Sequence, residues 1–186
     1  MNTSRLNVII EGCRRQDRAL QKELYQLFYQ YTLSVCLNYS GKIEEAREVV
    51  NDVFLKVFDK IDQYNPSQPF KPWLNRIAVY TAIDYYRKHI KNELPTADLS
   101  LIPDIPDSLE IFAKISAEEL RSLVQQLSPA CRAAINLYAI EGYDHSEIAS
   151  MLGISVGTSK SNLFKAREKL RVLMERHEHK KPPAKS

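Results

Sequence analysis

The chain has 186 residues, 44% of them hydrophobic, and a formal net charge of +3. That length allows one mid-sized domain or two small ones, each with a buried core. The charge is too mild to signal nucleic-acid binding by itself, so such a role has to rest on where the charges sit. No window approaches the roughly 18 to 20 apolar residues of a membrane span.

Glycine is scarce, strand-like alternation is hard to find, and apolar residues recur at helical spacing, which predicts an all-helical protein. Cys13, Cys36 and Cys131 are odd in number and form no CxxC pair, so three buried reduced thiols are expected rather than a disulfide framework or zinc site. The first residues contain only a brief apolar run interrupted by charge, too short for a signal-peptide core. The chain is accordingly read as soluble and cytoplasmic, with no membrane insertion.

A first helix is expected from Arg5 to Cys13. A second follows through "RALQKELYQLFYQYTLSVCLNYSG", with Leu20, Leu24, Leu27, Phe28, Tyr31 and Val35 at i+3 and i+4 spacing and Gly41 as its closing residue. The third, "IEEAREVVNDVFLKVFDKIDQY", is acidic at its start, as suits the positive end of a helix dipole. Its apolar positions Val49, Val50, Val53, Phe54, Val57, Phe58 and Ile61 form a wide stripe. After the proline-rich turn "NPSQPFKP", a fourth helix is predicted from Trp73 to Ile90.

Residues 92–109, "NELPTADLSLIPDIPDSL", contain three prolines and four acidic residues with no Lys or Arg. Proline forbids a continuous helix here, and the segment reads as an inter-domain linker that, fully extended, reaches roughly 60 Å. Beyond it a helix is expected from Glu110 to Gln126. Ser128 and Pro129 mark the start of the next, as N-cap and N1, which should run to Gly142. Asp144 and Glu147 have the spacing of a capping box.

They introduce "EIASMLGISVGTSKSNLFKAREKLR". Ile148, Ala149 and Leu152 should face inward from a short helix, and the small Ala149 lets a second helix cross closely. Gly153 permits a left-handed turn. Ser155 can cap the helix that follows, with Val156, Leu163, Ala166, Leu170 and Leu173 buried. This is helix-turn-helix logic, with the second helix able to lie in a major groove. Its other face carries Thr158, Lys160, Ser161, Asn162, Phe164 and Lys165, with Arg167 extending the positive surface. Hydroxyls and amides read base edges or phosphates, lysine neutralises phosphate, and phenylalanine touches thymine methyl groups.

The stretches "EVVNDVFLKVF", "FKPWLNRIA" and "AIDYYRK", followed by "LSPACRAAINLYAIEGYDHSEIASMLGISVGTSKSNLFKAREKL", resemble the bacterial sigma factors, the promoter-reading subunits of RNA polymerase. The chain is most similar to the extracytoplasmic-function (group IV) members of the sigma-70 family. The resemblance implies sigma domain 2 at 1–91, the linker at 92–109, sigma domain 4 at 110–176 and a basic disordered tail at 177–186. It also implies partners: the RNA polymerase core, through a coiled coil of its largest subunit, and promoter DNA, both duplex and single-stranded. Members of the family are often held by an anti-sigma factor, which adds that class of partner.

A sigma factor opens DNA, and surfaces for single strands combine positive charge with aromatic platforms. Lys71, Arg76, Arg87, Lys88 and Lys91 interleave with Trp73, Tyr80, Tyr85 and Tyr86. Arg76, Tyr80 and Arg87 share one helical face, and Lys71, Arg76, Tyr80, Arg87 and Lys88 are the residues expected at the minus-ten element. By resemblance, the loop from Asn65 to Pro72 frames a pocket for a flipped-out base, and Asp52, Phe54, Leu55, Lys56 and Trp73 meet core polymerase. Asp52 and Lys56, four apart, equally suit an ordinary surface ion pair. Three positions depart from the family pattern: Tyr80 stands where many relatives carry Asn, Ser159 where Val is frequent, and Asn162 where Arg is frequent.

Two other readings compete. A promoter-binding regulator of the LuxR or repressor type has a similar helix-turn-helix, but leaves the acidic linker and the aromatic-basic helix without a task. An enzyme finds little support: His89, His145, His177 and His179 have no metal-ligand spacing, and Asp59, Asp62 and Asp84 suit helix-surface charges. There is no Gly-rich phosphate loop and no nucleophile elbow, so no catalytic residue, metal or cofactor is expected.

Overall fold

The computed structural model describes residues 3–89 and 116–178. Among them are α1 (Thr3–Arg14), α2 (Arg18–Leu37), α3 (Ile43–Lys60) with a 3-10 turn at Ile61–Gln63, and α4 (Phe70–His89). Then come α5 (Ala117–Gln125), α6 (Pro129–Ile135) running into a π-helical turn at Asn136–Ile140, α7 (His145–Leu152) and α8 (Val156–Glu178). No described residue is in a strand. The chain divides into two compact units, Met1–Tyr86 and Arg87–Ser186. The expected linker at 92–109, the expected helix start at Glu110 and Lys91 lie outside the described residues.

In the first unit, α1 packs on α2 and α2 on α3. Of the expected α3 stripe, Val49, Val50, Val53, Phe54, Val57 and Ile61 are buried, Ala46 joins them, and Phe58 is half-buried. The turn into α2 is capped by Asp17, whose carboxylate accepts from the Ala19 and Leu20 N–H groups at 2.8 and 3.2 Å. Gly12 belongs to the same corner: a Cβ there would lie 2.0 Å from Leu20 Cδ1, so only glycine admits this approach of α1 to α2.

Two expected boundaries move. The second helix ends at Leu37, not at Gly41, and the Tyr39 and Ser40 that follow are buried. Gly41 instead donates its N–H to the Glu45 carboxylate at 3.1 Å. The fourth helix starts at Phe70 and includes Pro72 in its first turn. Proline is tolerated there because the first helical N–H groups have no intrahelical acceptor. Leu27, assigned to the core by spacing, is 44% exposed.

The second unit has its own apolar cluster, formed by Leu123, Val124, Leu127, Cys131, Ile135, Leu163, Ala166, Leu170 and Met174. α5 opens with a reciprocal capping box between Ser116 and Glu119. Arg132 is buried but donates to the Leu127 carbonyl at 3.1 Å and to Gln125 Oε1 at 3.0 Å, which ties α6 to the end of α5. The single helix expected up to Gly142 is interrupted. Its last turn widens so that the Glu141 N–H bonds the Asn136 carbonyl at 3.0 Å, and Gly142 then takes φ +78°. α8 continues to Glu178, so His177 and Glu178 belong to the helix and not to the tail expected from 177.

All three cysteines are buried and free. Burial raises the Cys36 thiol to about 12. Burial, reinforced by the Asp17 charge, raises Cys13 to about 11. Thiols held this far above neutrality are poor nucleophiles.

Candidate nucleic-acid interfaces

The helix-turn-helix is built as its sequence directs. Asp144 caps α7, accepting from the Ser146 and Glu147 N–H groups at 2.7 and 2.9 Å, while the Glu147 carboxylate accepts the Asp144 N–H at 2.9 Å. The Glu147 backbone bond is the main reason the Asp144 carboxyl lies below its ordinary range, followed by Ser146 and then the nearby His145. Ile148, Ala149 and Leu152 are buried. Gly153 adopts φ 61° and ψ 48°, the left-handed conformation expected of it. The next helix is capped by Ser155, whose hydroxyl accepts the Thr158 N–H at 3.0 Å.

On α8, Leu163, Ala166 and Leu170 are buried as expected, Met174 joins them, and Leu173 is half-buried. Val156, expected inside, is 44% exposed at the first position of the helix. The outer face is less open than the sequence suggests. Lys160 is exposed, whereas Thr158, Asn162, Phe164, Lys165 and Arg167 are half-buried. Thr158 also shares a 2.9 Å hydrogen bond with Ser155, so its hydroxyl belongs in part to the cap. Ser161 corrects the expectation of a freely exposed reader: it is 1% exposed, and its hydroxyl has no hydrogen-bond partner among the described residues. A hydroxymethyl group lies close to the helix axis, and longer neighbours shield it more readily than they shield a lysine.

The inward side of α8 holds a polar arrangement that spacing alone does not announce. Ser159 is 0% exposed, and its Oγ lies 3.0 Å from Nδ1 of His145, the first residue of α7. The imidazole stacks on Tyr138 with centroids 5.0 Å apart and planes 24° apart. The Arg167 guanidinium lies 5.5 Å from the centroid of that same Tyr138 ring. The signal in the sequence was a serine at core spacing with Leu163, Ala166 and Leu170. A buried hydroxyl needs a partner, but nothing local names His145.

α4 presents a different surface. Lys71, Arg76, Tyr80, Arg87 and Lys88 all lie exposed along α4. The Arg76 guanidinium stands 5.9 Å from the Tyr80 ring centroid. The Lys71 ammonium stands 5.5 Å from the ring of Tyr31, whose hydroxyl donates to Asn75 Oδ1 at 3.2 Å. Tyr31 and Asn75 were absent from the sequence-derived site because Tyr31 sits on α2, which only packing brings beside α4. Tyr86, expected among the aromatic platforms, is 5% exposed and part of the core.

The loop between Tyr64 and Phe70 is held from several sides. Arg14 Nη2 donates to the Tyr64 carbonyl at 2.7 Å. The Tyr64 hydroxyl donates to the Gln68 carbonyl. The Asn65 side chain accepts the Ser67 N–H at 3.0 Å. Tyr64, Phe70 and Trp73 form a ring cluster with centroids 5.2 to 5.5 Å apart, and Phe28 adds a fourth ring 4.9 Å from Phe70. Trp73 is half-buried within it.

The α3 residues expected to meet a protein partner divide by burial. Asp52 is exposed and Leu55 is 68% exposed. Phe54 is 2% exposed, with its ring 4.7 Å from that of Tyr25, so it belongs to the core and corrects the expectation of a surface contact. It falls inside because it continues the Val50, Val53 and Val57 stripe. Lys56 pairs with Asp84 of α4 at 3.3 Å, not with Asp52. That pair is partly exposed, so it contributes at most about 1 kcal/mol. Among the described residues, no group of three or more His, Cys, Asp or Glu is placed to hold a metal ion, and no helix is long and apolar enough to cross a membrane.

Comparison with known proteins gives consistent matches. The family model Sigma-70 region 2 matches residues 24–91, and Sigma-70, region 4 matches residues 117–170. The ECF RNA polymerase sigma factor SigM of Bacillus subtilis is 30% identical over 156 residues, covering 83% of this chain and 94% of that one. The ECF RNA polymerase sigma-E factor of Escherichia coli K12 is 28% identical over 173 residues, covering 87% and 90% respectively. The ECF RNA polymerase sigma factor SigE of Mycolicibacterium smegmatis is 30% identical over 143 residues, 74% of this chain and 55% of that longer one.

Proposed function

The chain belongs to the ECF RNA polymerase sigma factors of the sigma-70 family, and from that premise we propose how its parts divide the work of promoter recognition. The observation that carries the proposal is the presence of two basic surfaces of different chemistry. One is a capped helix-turn-helix with a lysine-bearing outer face, suited to duplex. The other is a helix that pairs exposed cations with aromatic rings, suited to unstacked bases.

α8 docks in the major groove of the minus-thirty-five element. Lys160, Lys165 and Arg167 neutralise phosphates, and Asn162, Phe164 and Thr158 face the base edges once DNA is bound, whereas the buried Ser161 does not reach them. α4 takes the minus-ten element: Arg76 with Tyr80, and Lys71 with Tyr31, provide paired charge and ring for the non-template strand, while Arg87 and Lys88 hold its phosphates. Unstacking a base costs a few kcal/mol, and a braced loop at Asn65 to Pro72 offsets that cost better than a mobile one, because its ordering is complete before DNA arrives.

The exposed part of the α3 face, Asp52 and Leu55 with Lys56 beside them, meets the coiled coil of the largest polymerase subunit, and Trp73 completes that contact from α4. The acidic 92–109 segment between the two domains suits the polymerase channel that later holds RNA. The chain supplies no catalysis of its own; nucleotide addition stays with the polymerase, and the factor works in the cytoplasm. An anti-sigma factor that masks these surfaces is a further partner.

Reconstitution of the full chain with sigma-free core polymerase, followed by genome-wide run-off transcription, tests the assignment. Start sites that depend on the chain are expected. Arg76→Ala and Tyr80→Ala should keep the closed complex and lose reactivity of minus-ten thymines to permanganate. DNA binding by the chain alone, with no core complex and no gain in initiation, would overturn the reading.

A further inference from the structure

We propose that His145 is a positioning residue for minus-thirty-five selectivity: through Ser159 it fixes the roll of α8 about its own axis. The inference rests on the reading of α8 as the promoter-recognition helix. Ser159 lies at core spacing with Leu163, Ala166 and Leu170, and it is 0% exposed. A purely apolar side chain at that position would contribute packing, which tolerates small rotations. The hydroxyl meets His145 Nδ1 at 3.0 Å, a directional contact that does not.

The histidine is itself held. Its ring stacks on Tyr138, which sits in the π-helical turn before α7, and Arg167 lies over that same tyrosine. α8 is therefore gripped at two points eight residues apart by one aromatic pair, through a hydrogen bond at Ser159 and a cation–π contact at Arg167. Of the residues proposed to face DNA, Lys160, Asn162, Phe164 and Lys165 lie between the two grips. Rotation of α8 in either direction strains the hydrogen bond, the directional contact of the two.

The geometry sets which property responds. Side-chain tips lie about 5 to 6 Å from a helix axis, so a roll of about 10° displaces them by about 1 Å. A flexible lysine follows a phosphate through such a shift, but a base-edge hydrogen bond with its narrow distance range does not. Loss of the His145–Ser159 bond should thus alter which sequence is preferred more than how tightly DNA in general is held.

The experiment compares the wild-type chain with His145→Phe, Ser159→Ala, Ser159→Thr and the double variant His145→Phe/Ser159→Val, each as holoenzyme. Enrichment from a promoter library randomised at the minus-thirty-five element is read together with the salt dependence of binding, opening of a pre-melted template and amide-exchange protection of α8. The phenylalanine keeps the ring stack and removes the hydrogen-bonding nitrogen. His145→Phe and Ser159→Ala should reduce enrichment of the preferred sequence about 10-fold, with the salt slope and pre-melted template unchanged. Ser159→Thr, which keeps the hydroxyl, should retain the wild-type profile.

If a single variant loses α8 protection, the double variant decides. It leaves neither of the two positions with a buried polar group lacking its partner, so it should regain protection but not selectivity. A wild-type profile from a well-protected His145→Phe or double variant overturns the proposal. A wild-type chain with no minus-thirty-five preference overturns the underlying reading of α8 instead.

Discussion

Leu55 and Phe54 are neighbours in sequence and opposites in burial, which lets binding be separated from folding on one helix. Fully burying a leucine side chain is worth about 1.5 to 3 kcal/mol. Leu55 is 68% exposed, so covering that fraction on association is worth about 1 to 2 kcal/mol, a factor of roughly 5 to 30 in Kd. Leu55→Ala is expected to weaken core polymerase binding by that factor, while folding stability changes by less than about 0.5 kcal/mol. Phe54→Ala removes a buried ring packed at 4.7 Å on Tyr25 and 6.1 Å from Phe58. Its cost is about 3 to 5 kcal/mol, a large share of the roughly 5 to 15 kcal/mol that stabilises a domain. Anisotropy titration of labelled chain with core polymerase gives the first quantity, and urea unfolding gives the second. Unchanged core affinity in Leu55→Ala would refute the assignment of this face. Weaker binding by Phe54→Ala at full stability would refute its placement in the core.

Three further outcomes follow from the second unit. Lys160→Ala should reduce the slope of log affinity against log salt by about 0.9 if the side chain meets one phosphate, and an unchanged slope in filter-binding or anisotropy measurements would show that it meets none. Gly153→Ala forces a Cβ into φ 61° and ψ 48°, which should destabilise the helix-turn-helix by about 1 to 2 kcal/mol; amide exchange across α7 and α8 checks this without relying on global unfolding. The Asp144 carboxyl is held below its ordinary value of 3.8 by the Glu147 and Ser146 contacts. A depressed folded-state value means that the capping contribution is complete above the unfolded value and is lost as the pH falls through the folded one. Asp144→Asn keeps a good capping oxygen without the titrating charge, so its unfolding midpoint should vary less with pH in acid than the wild type's; parallel curves would show that another group governs the acid limb.

Much of this protein was legible residue by residue. The Asp144–Glu147 box, Gly153, Ser155, the Ser128–Pro129 start and the α3 stripe are local signals, because a cap, a left-handed turn or a helical face is decided by residues within about four positions of one another. The same locality explains the misses. Spacing four apart allows Lys56 to pair with Asp52, and only the packing of α4 against α3 offers Asp84 instead. Periodicity marks Phe54 for the core, but it does not prevent a motif-based reading from placing it on the partner-facing surface beside Leu55. Tyr31 reaches Lys71 and Asn75 from another helix, and the order of residues gives no sign of it.

Ser159 draws the boundary most sharply. From the sequence comes a small polar residue at a core position of a capped, positively charged helix, and with it the need for a hydrogen-bonding partner. Which partner is a tertiary matter: His145 is fourteen residues away, and it reaches the hydroxyl only because Gly153 turns the chain back and the widened turn at Asn136–Ile140 places Tyr138 against the imidazole. Helices, caps and the order of the two domains follow from short-range chemistry that the chain carries wherever it lies. The orientation of α8 depends on contacts between separate elements, and these exist only once the core has closed.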